Sequence, residues 1–102
     1  MINPHILSFI PSLIEIFKKN KVKDAYLFGS AITEKFNDES DVDFLINFQD
    51  NLAPLEKGEL WWILHDSIRE SLNREVDLVS EKALKNPYLI DEINATKVKI
   101  YG

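Results

Sequence analysis

The sequence predicts an α+β domain, with helices packed on one apolar face of a small sheet. Three observations lead there. Apolar residues recur at helical spacing in some segments and alternate in others. The periodic segments run in the order helix, strand, strand, helix, strand, helix. The chain has 102 residues, 45% of them apolar and 28% charged, enough for one core and not two. Residues 1–102 are therefore expected to form a single domain.

Each element has its own signal. From Asn3 to Asn20, Ile6, Phe9, Ile10, Leu13, Ile14 and Phe17 recur at three- and four-residue spacing. Pro11 lies inside that pattern and predicts a kink or a restart. Val22 to Phe28 reads as a strand that ends at Gly29-Ser30, and residues 31–40 read as a short turn and a polar loop. Asp41 to Phe48 alternates: Val42, Phe44, Ile46 and Phe48 point one way, and Asp41, Asp43, Leu45 and Asn47 the other. Pro54 opens a long helix to about Asn73, with Trp61, Leu64, Ile68 and Leu72 on one stripe and Leu60 beside it. Glu75 to Val79 is a third strand, with Val76 and Leu78 on one face and Asp77 on the other. Ser80 is placed to cap a turn over 81–86. Pro87 opens a helix to about Ala95, and the alternating tail Lys97–Tyr101 reads as a short edge strand. Strand direction is not legible at this level.

Composition removes several classes of function. With no Cys, disulfides, thiolate zinc sites and thiol nucleophiles are excluded, and two His argue against a His-rich metal site. Carboxylates remain as the plentiful metal ligands, and they favour hard cations such as Mg²⁺ or Mn²⁺. The net charge is −5, from 12 Lys and Arg against 17 Asp and Glu, which argues against nucleic-acid binding by bulk electrostatics. Arg69 and Arg74 are the only arginines. Lys18, Lys19, Lys21 and Lys23 cluster where a helix C-terminus is expected, complementing its dipole. No apolar run approaches a membrane span. Pro4, His5, Ser8, Pro11 and Ser12 break the N-terminal apolar residues, so no signal peptide is expected and the cytoplasm is the default location.

Three carboxylates carry the chemistry. Asp41 and Asp43 project from the same side of one strand, roughly 6–7 Å apart at Cα. Asp77 stands in the same relation to its own strand. If the two strands pair, three like charges converge, which is costly unless cations neutralise them. A metal site explains the cluster best. Gly29 at the end of the first strand allows a phosphate close to the backbone, and the Ser30 hydroxyl can donate a hydrogen bond to it. A phosphate-binding turn beside metal-holding carboxylates is the minimal equipment for phosphoryl or nucleotidyl transfer. Each piece alone has a plainer reading. A Gly-Ser pair is usually only a turn, and Asp-x-Asp on a strand is more often a solvated face.

Together the pieces resemble a known pattern. Tyr26-Leu27-Phe28-Gly29-Ser30, Ser40-Asp41-Val42-Asp43-Phe44-Leu45, Val76-Asp77-Leu78-Val79 and the ending from Ile93 through Ile100-Tyr101-Gly102 resemble the nucleotidyltransferases of the DNA polymerase β superfamily. The chain is most similar to the minimal nucleotidyltransferases (MNT type) that pair with helical HEPN proteins in toxin–antitoxin systems. The resemblance covers nearly the whole chain. It implies the minimal nucleotidyltransferase fold, with a small mixed sheet. It implies that Asp41 and Asp43 hold two divalent metals, that Asp77 helps hold the catalytic metal and accepts the proton of the attacking hydroxyl, and that Gly29 and Ser30 contact the β- and γ-phosphates. The substrate would be a nucleoside triphosphate, with AMP passing from ATP to a hydroxyl of a HEPN-type partner. One departure stands out. Where many members carry Ala-Arg-Gly, this chain has Ile32-Thr33-Glu34, which removes a cation and adds an anion, with Lys35 next in line to compensate.

His65 reads as a packed histidine and His5 as solvated, and Tyr26 and Phe28 read as core. Trp62 and Ile63 fall off the long helix's apolar stripe. Either a loop or the C-terminal segment covers them, or they form a partner surface. The rival to an enzyme is a binding module that neutralises a helical partner by contact with a lapsed site. A small-molecule transferase is a third reading, disfavoured because the chain has no room for a substrate domain. Acceptor selection then falls to another protein or to self-association as a homo-oligomer.

Overall fold

The computed structural model of the chain describes residues 2–33 and 35–102. The N-terminal helical pattern forms two helices, α1 (Pro4–Leu7) and α2 (Ile10–Lys19). The break is a restart, with Pro11 in the first turn of α2, where its missing N–H costs nothing. Asn3 caps α1 by accepting from the His5 amide at 2.9 Å. Strands β1 (Val22–Phe28) and β2 (Val42–Phe48) follow, joined through a 3₁₀ turn over Gly29–Ile32. Helix α3 (Pro54–Leu72) ends at Asn73 in the left-handed conformation. Strand β3 (Val76–Ser80), a second 3₁₀ turn (Glu81–Ala83), α4 (Pro87–Thr96) and β4 (Val98–Tyr101) complete the order. Ser80 makes no capping bond to that turn. The cap that does form is Asn86, which accepts from the Tyr88 and Leu89 amides at 3.0 and 3.3 Å and so starts α4.

The sheet is mixed, with strand order β3-β2-β1-β4. β1 is antiparallel to β2 and β4, and β2 is parallel to β3. The parallel pair needs a long crossover, and α3 provides it. α2 and α3 pack on one sheet face. Phe17 and Leu13 of α2 and Leu64, Ile68 and Leu72 of α3 are buried there against Val42, Phe44 and Ile46 of β2. Phe17 meets Phe44 edge-on at 6.3 Å and Tyr101 at 5.6 Å, which ties α2 to both the centre and the edge of the sheet. α4 packs instead beside the Gly29–Ile32 turn, and its buried Ile93 lies outside that core.

Tyr26 and Phe28 depart from the core reading. Their partners across the ladder are Leu45 and Asp43, which places them on the opposite face from the core. A register irregularity between Val22 and Asp24 shifts the alternation of β1, so Ala25 and Leu27 face the core instead. His65 is half-buried, with Nε2 at 3.2 Å from the Val76 carbonyl oxygen and Nδ1 at 3.5 Å from Asp66. Trp62 and Ile63 are 67% and 52% exposed, so nothing among the described residues covers them. No helix among the described residues is long and apolar enough to cross a membrane.

Candidate active site

Asp43 is the second residue of β2 and sits in the middle of a row. Its register partner on β1 is Phe28 and on β3 is Asp77. Residues abreast on paired strands point to the same side, about 4.8 Å apart. Asp43 and Asp77 are therefore neighbours on the face away from the core. Asp41 immediately precedes β2 rather than opening it, and it is exposed, as is Asp77. The structure thus brings all three predicted carboxylates to one edge of one face.

Their mutual effect is visible in Asp43. Its pKa is pushed up to about 6, first by burial, then by the charge of Asp77, then by that of Asp41. Among the described residues, no Lys, Arg or His lies within ion-pair distance of any of the three. No three acidic or His side chains among the described residues close on a single point as a one-ion cage would. They form a row. Mg²⁺ characteristically takes only one or two carboxylates and completes its octahedron with water and phosphate oxygens. An uncompensated row of hard oxygen donors fits such an ion together with a nucleotide.

Gly29 and Ser30 border the same row. Gly29 has φ +71°, in the region that favours glycine. A Cβ there would also run into the Asp43 carboxylate. The positive φ calls for glycine, and a Cβ would in addition make the Asp43 carboxylate swing aside. The Ser30 hydroxyl donates to the Asp41 carbonyl at 3.4 Å, linking the turn to the start of β2. The Thr33 amide and hydroxyl both donate to the Ser30 carbonyl, at 3.0 and 3.1 Å. Thr33 closes the turn at the position where the resemblance places an arginine in many members. Lys35 is exposed and lines a cavity of about 360 Å³ between this turn and Leu89 and Ile93 of α4. Glu34, the expected added anion, lies outside the described residues.

Sequence reasoning missed a second polar group on the same face. The Asn47 amide donates to Asp24 at 2.7 Å and to Glu81 at 2.9 Å. Lys97 reaches Glu81 at 3.1 Å, and its ammonium lies 4.4 Å from the Tyr26 ring centre. The hydrogen bond from Asn47, with Lys97 adding to it against burial, holds the Glu81 carboxyl below its ordinary range. Asn47 was legible as sharing a face with Asp43. The reach of Lys97 from the edge strand was not.

The sequence matches the family model described as Polymerase beta, Nucleotidyltransferase over residues 12–102. Two Methanocaldococcus jannaschii proteins, each provisionally named a protein adenylyltransferase, are similar to it. One is 36% identical over 71% of this chain and 69% of its own, and the other 30% identical over 81% of each. Among solved structures, a provisionally named minimal nucleotidyltransferase superposes with a TM-score of 0.70 at 21% identity, over 96% of this chain and 95% of that one. A chain from a toxin–antitoxin complex with AMP-PNP gives 0.70 at 23% identity, over 91% and 73%. A chain from the complex of a tri-AMPylated Shewanella oneidensis HEPN toxin with MNT antitoxin gives 0.64 at 22%, over 96% and 72%. At these identities the structural likeness concerns the fold, and the mixed sheet with its helices is the minimal nucleotidyltransferase fold. With nine-tenths of its length matched by the family model, the chain belongs to the polymerase beta nucleotidyltransferase family.

Proposed function

We propose that this nucleotidyltransferase moves AMP from ATP onto a hydroxyl of a partner protein, and that Asp41, Asp43, Asp77, Gly29 and Ser30 form its site. The observation that carries the reading is the uncompensated row: Asp43 abreast of Asp77, beside Asp41, against a glycine turn. Asp41 and Asp43 would hold two divalent ions, Mg²⁺ or Mn²⁺, with Asp77 completing the set. Such ions, when bound, neutralise charge on the triphosphate and on the oxygens being made and broken. Gly29 and Ser30 seat the β- and γ-phosphates, with the Ser30 hydroxyl as a donor. Asp77, exposed on the far side of the row from the turn, takes the proton of the acceptor hydroxyl. The acceptor oxygen bonds to the α-phosphorus as the bond to the α–β bridging oxygen breaks, and pyrophosphate leaves with that electron pair.

The partner, in this reading, is a small helical protein of HEPN type, and this chain is its antitoxin. The relatives named as protein adenylyltransferases and the fold neighbours seen in MNT–HEPN complexes support it. Trp62 and Ile63 offer an exposed apolar anchor on α3, and the −5 charge suits a basic partner surface. A second reading has its own observation. Thr33 stands where the family's arginine is common, which favours neutralisation by contact with little transfer. Co-expression with the neighbouring gene product, followed by incubation with labelled ATP and Mg²⁺ and by mass spectrometry, separates the two. Transfer predicts a partner carrying added AMP. A stable complex with no added AMP supports contact alone, and no complex overturns the pairing.

A further inference from the structure

The loop over residues 36–40 leads straight into Asp41. Its own bonds are local: the Ser40 amide donates to the Asn37 carbonyl, the Asn37 amide to Ser40 Oγ, and the Glu39 amide to Asn37 Oδ1. They close the loop on itself. Two contacts tie its ends to the rest of the molecule: Phe36 packs against the core, and the Asp41 carbonyl accepts from Ser30 Oγ at 3.4 Å. Between those ends Arg74 is the charged contact that holds the loop. Its Nη1 donates to the Ser40 carbonyl at 2.7 Å and to the Asn37 carbonyl at 2.9 Å. Its guanidinium stacks over the Phe36 ring, 4.4 Å from the centre. The donor is charged, so each of these bonds is stronger than a neutral one of the same geometry.

The other end of Arg74 is equally fixed. Asn73, with φ 50°, ends α3 and turns the chain toward β3. Arg69 holds the Glu75 carboxylate through Nε and Nη2, at 3.1 and 2.8 Å. The Glu75 carbonyl accepts from the Val42 amide at 3.1 Å. Arg74 therefore sits on a pinned segment, three residues before Asp77, and carries the loop that sets Asp41.

We propose that Arg74 is a positioning residue of the nucleotide site: by gripping the Asn37 and Ser40 carbonyls it fixes where Asp41 stands relative to Asp43 and Asp77. The role rests on the assignment of those carboxylates to nucleotide and metal. It concerns a residue that touches neither. A cation that only stabilised the fold would change the melting temperature and leave the Mg²⁺ requirement alone. A positioning residue changes the Mg²⁺ requirement.

The test uses the full chain with AMP-PNP as probe, and reads the Mg²⁺ concentration that gives half of the nucleotide-induced melting shift. Arg74→Ala is expected to melt cooperatively but to need about tenfold more Mg²⁺, the usual scale for a residue that orients metal ligands. Arg74→Lys keeps the charge without the planar fork and falls between. In the ligand-free chain, amide exchange at residues 38–41 is faster in Arg74→Ala. An unchanged Mg²⁺ half-point in Arg74→Ala overturns the proposal, whatever the melting temperature does. If Arg74→Ala does not fold, an unchanged half-point in Arg74→Lys overturns it. A wild-type chain that AMP-PNP and Mg²⁺ do not stabilise overturns the site assignment and the Arg74 role with it, whereas a wild-type shift with unaffected variants overturns the Arg74 role alone.

Discussion

Two acidic groups share one face of the sheet. Asp41, Asp43 and Asp77 lie at the end next to the Gly29–Ile32 turn. Asp24 and Glu81 lie at the other, separated by the row of Tyr26, Leu45 and Val79. The second group is compensated within the chain. Asn47 bridges its two carboxylates, Lys97 pairs with Glu81, and the Glu81 carboxyl is held low. The first has no such partner among the described residues, and its central carboxyl is pushed up to about 6. Leu45, between the two groups, is fully buried although it faces away from the core. The contrast separates an acidic group satisfied within the chain from one that is not, and the proposed site is the second. Acidity alone does not distinguish them; the presence of a resident donor or cation does.

The largest effect that would break this comparison is catalytic. Asp43→Asn is expected to lower nucleotidyl transfer by roughly 10³-fold, whereas Glu81→Gln changes it less than about twofold. The measurement is steady-state transfer with a purified partner, and equal losses in the two variants would erase the distinction. Next comes Gly29→Ala, which meets both the positive φ and the Asp43 carboxylate. It is expected to cost about 2 kcal/mol or more in denaturant unfolding. Gly58 has open space where its Cβ would go, so Gly58→Ala in α3 is stabilising by up to about 1 kcal/mol.

Much of this was legible from the sequence, and the reasons for the rest are physical. Period-two alternation placed Asp41 and Asp43 on the polar side of β2, and Val76 and Leu78 flanked Asp77 in the same way. Alternation cannot say which strand pairs with which, or in which direction. The alignment of Asp43 with Asp77 is a property of a parallel register set by the α3 crossover. Tyr26 and Phe28 were misplaced because one irregularity near Val22 inverts the parity of β1. Gly29 was read through phosphate access, and its second constraint comes from a carboxylate 14 positions later. Arg74 and Lys97 act over long sequence separations, with flexible side chains whose targets leave no periodic trace.

Two smaller effects sharpen the comparison through pH. The folded chain raises the Asp43 pKa, so its ionised form is a liability that appears as pH rises from about 4 through about 6. Asp43→Asn is thus expected to stabilise the ligand-free chain at pH 7 by about 1 kcal/mol, discounted for the solvent that reaches this half-buried group, and to leave it unchanged near pH 3. Glu81 runs the other way. Its lowered pKa is a stabilisation present at neutral pH and lost as pH falls through its folded value. Glu81→Gln is expected to cost about 0.5 kcal/mol at pH 7 and less in acid. Thermal melts of both variants across pH 3–7 check the two signs, and slopes of the same sign would contradict the division.

The most direct measurement is anomalous diffraction from crystals grown with Mn²⁺ and AMP-PNP. Mn²⁺ peaks are expected at coordination distance from Asp43 with Asp41 or Asp77, with triphosphate density against Gly29 and Ser30 and no peak beside Asp24 and Glu81. A nucleotide bound with no ion at Asp43, or an ion bound only at the Asp24–Glu81 end, would contradict the proposed site.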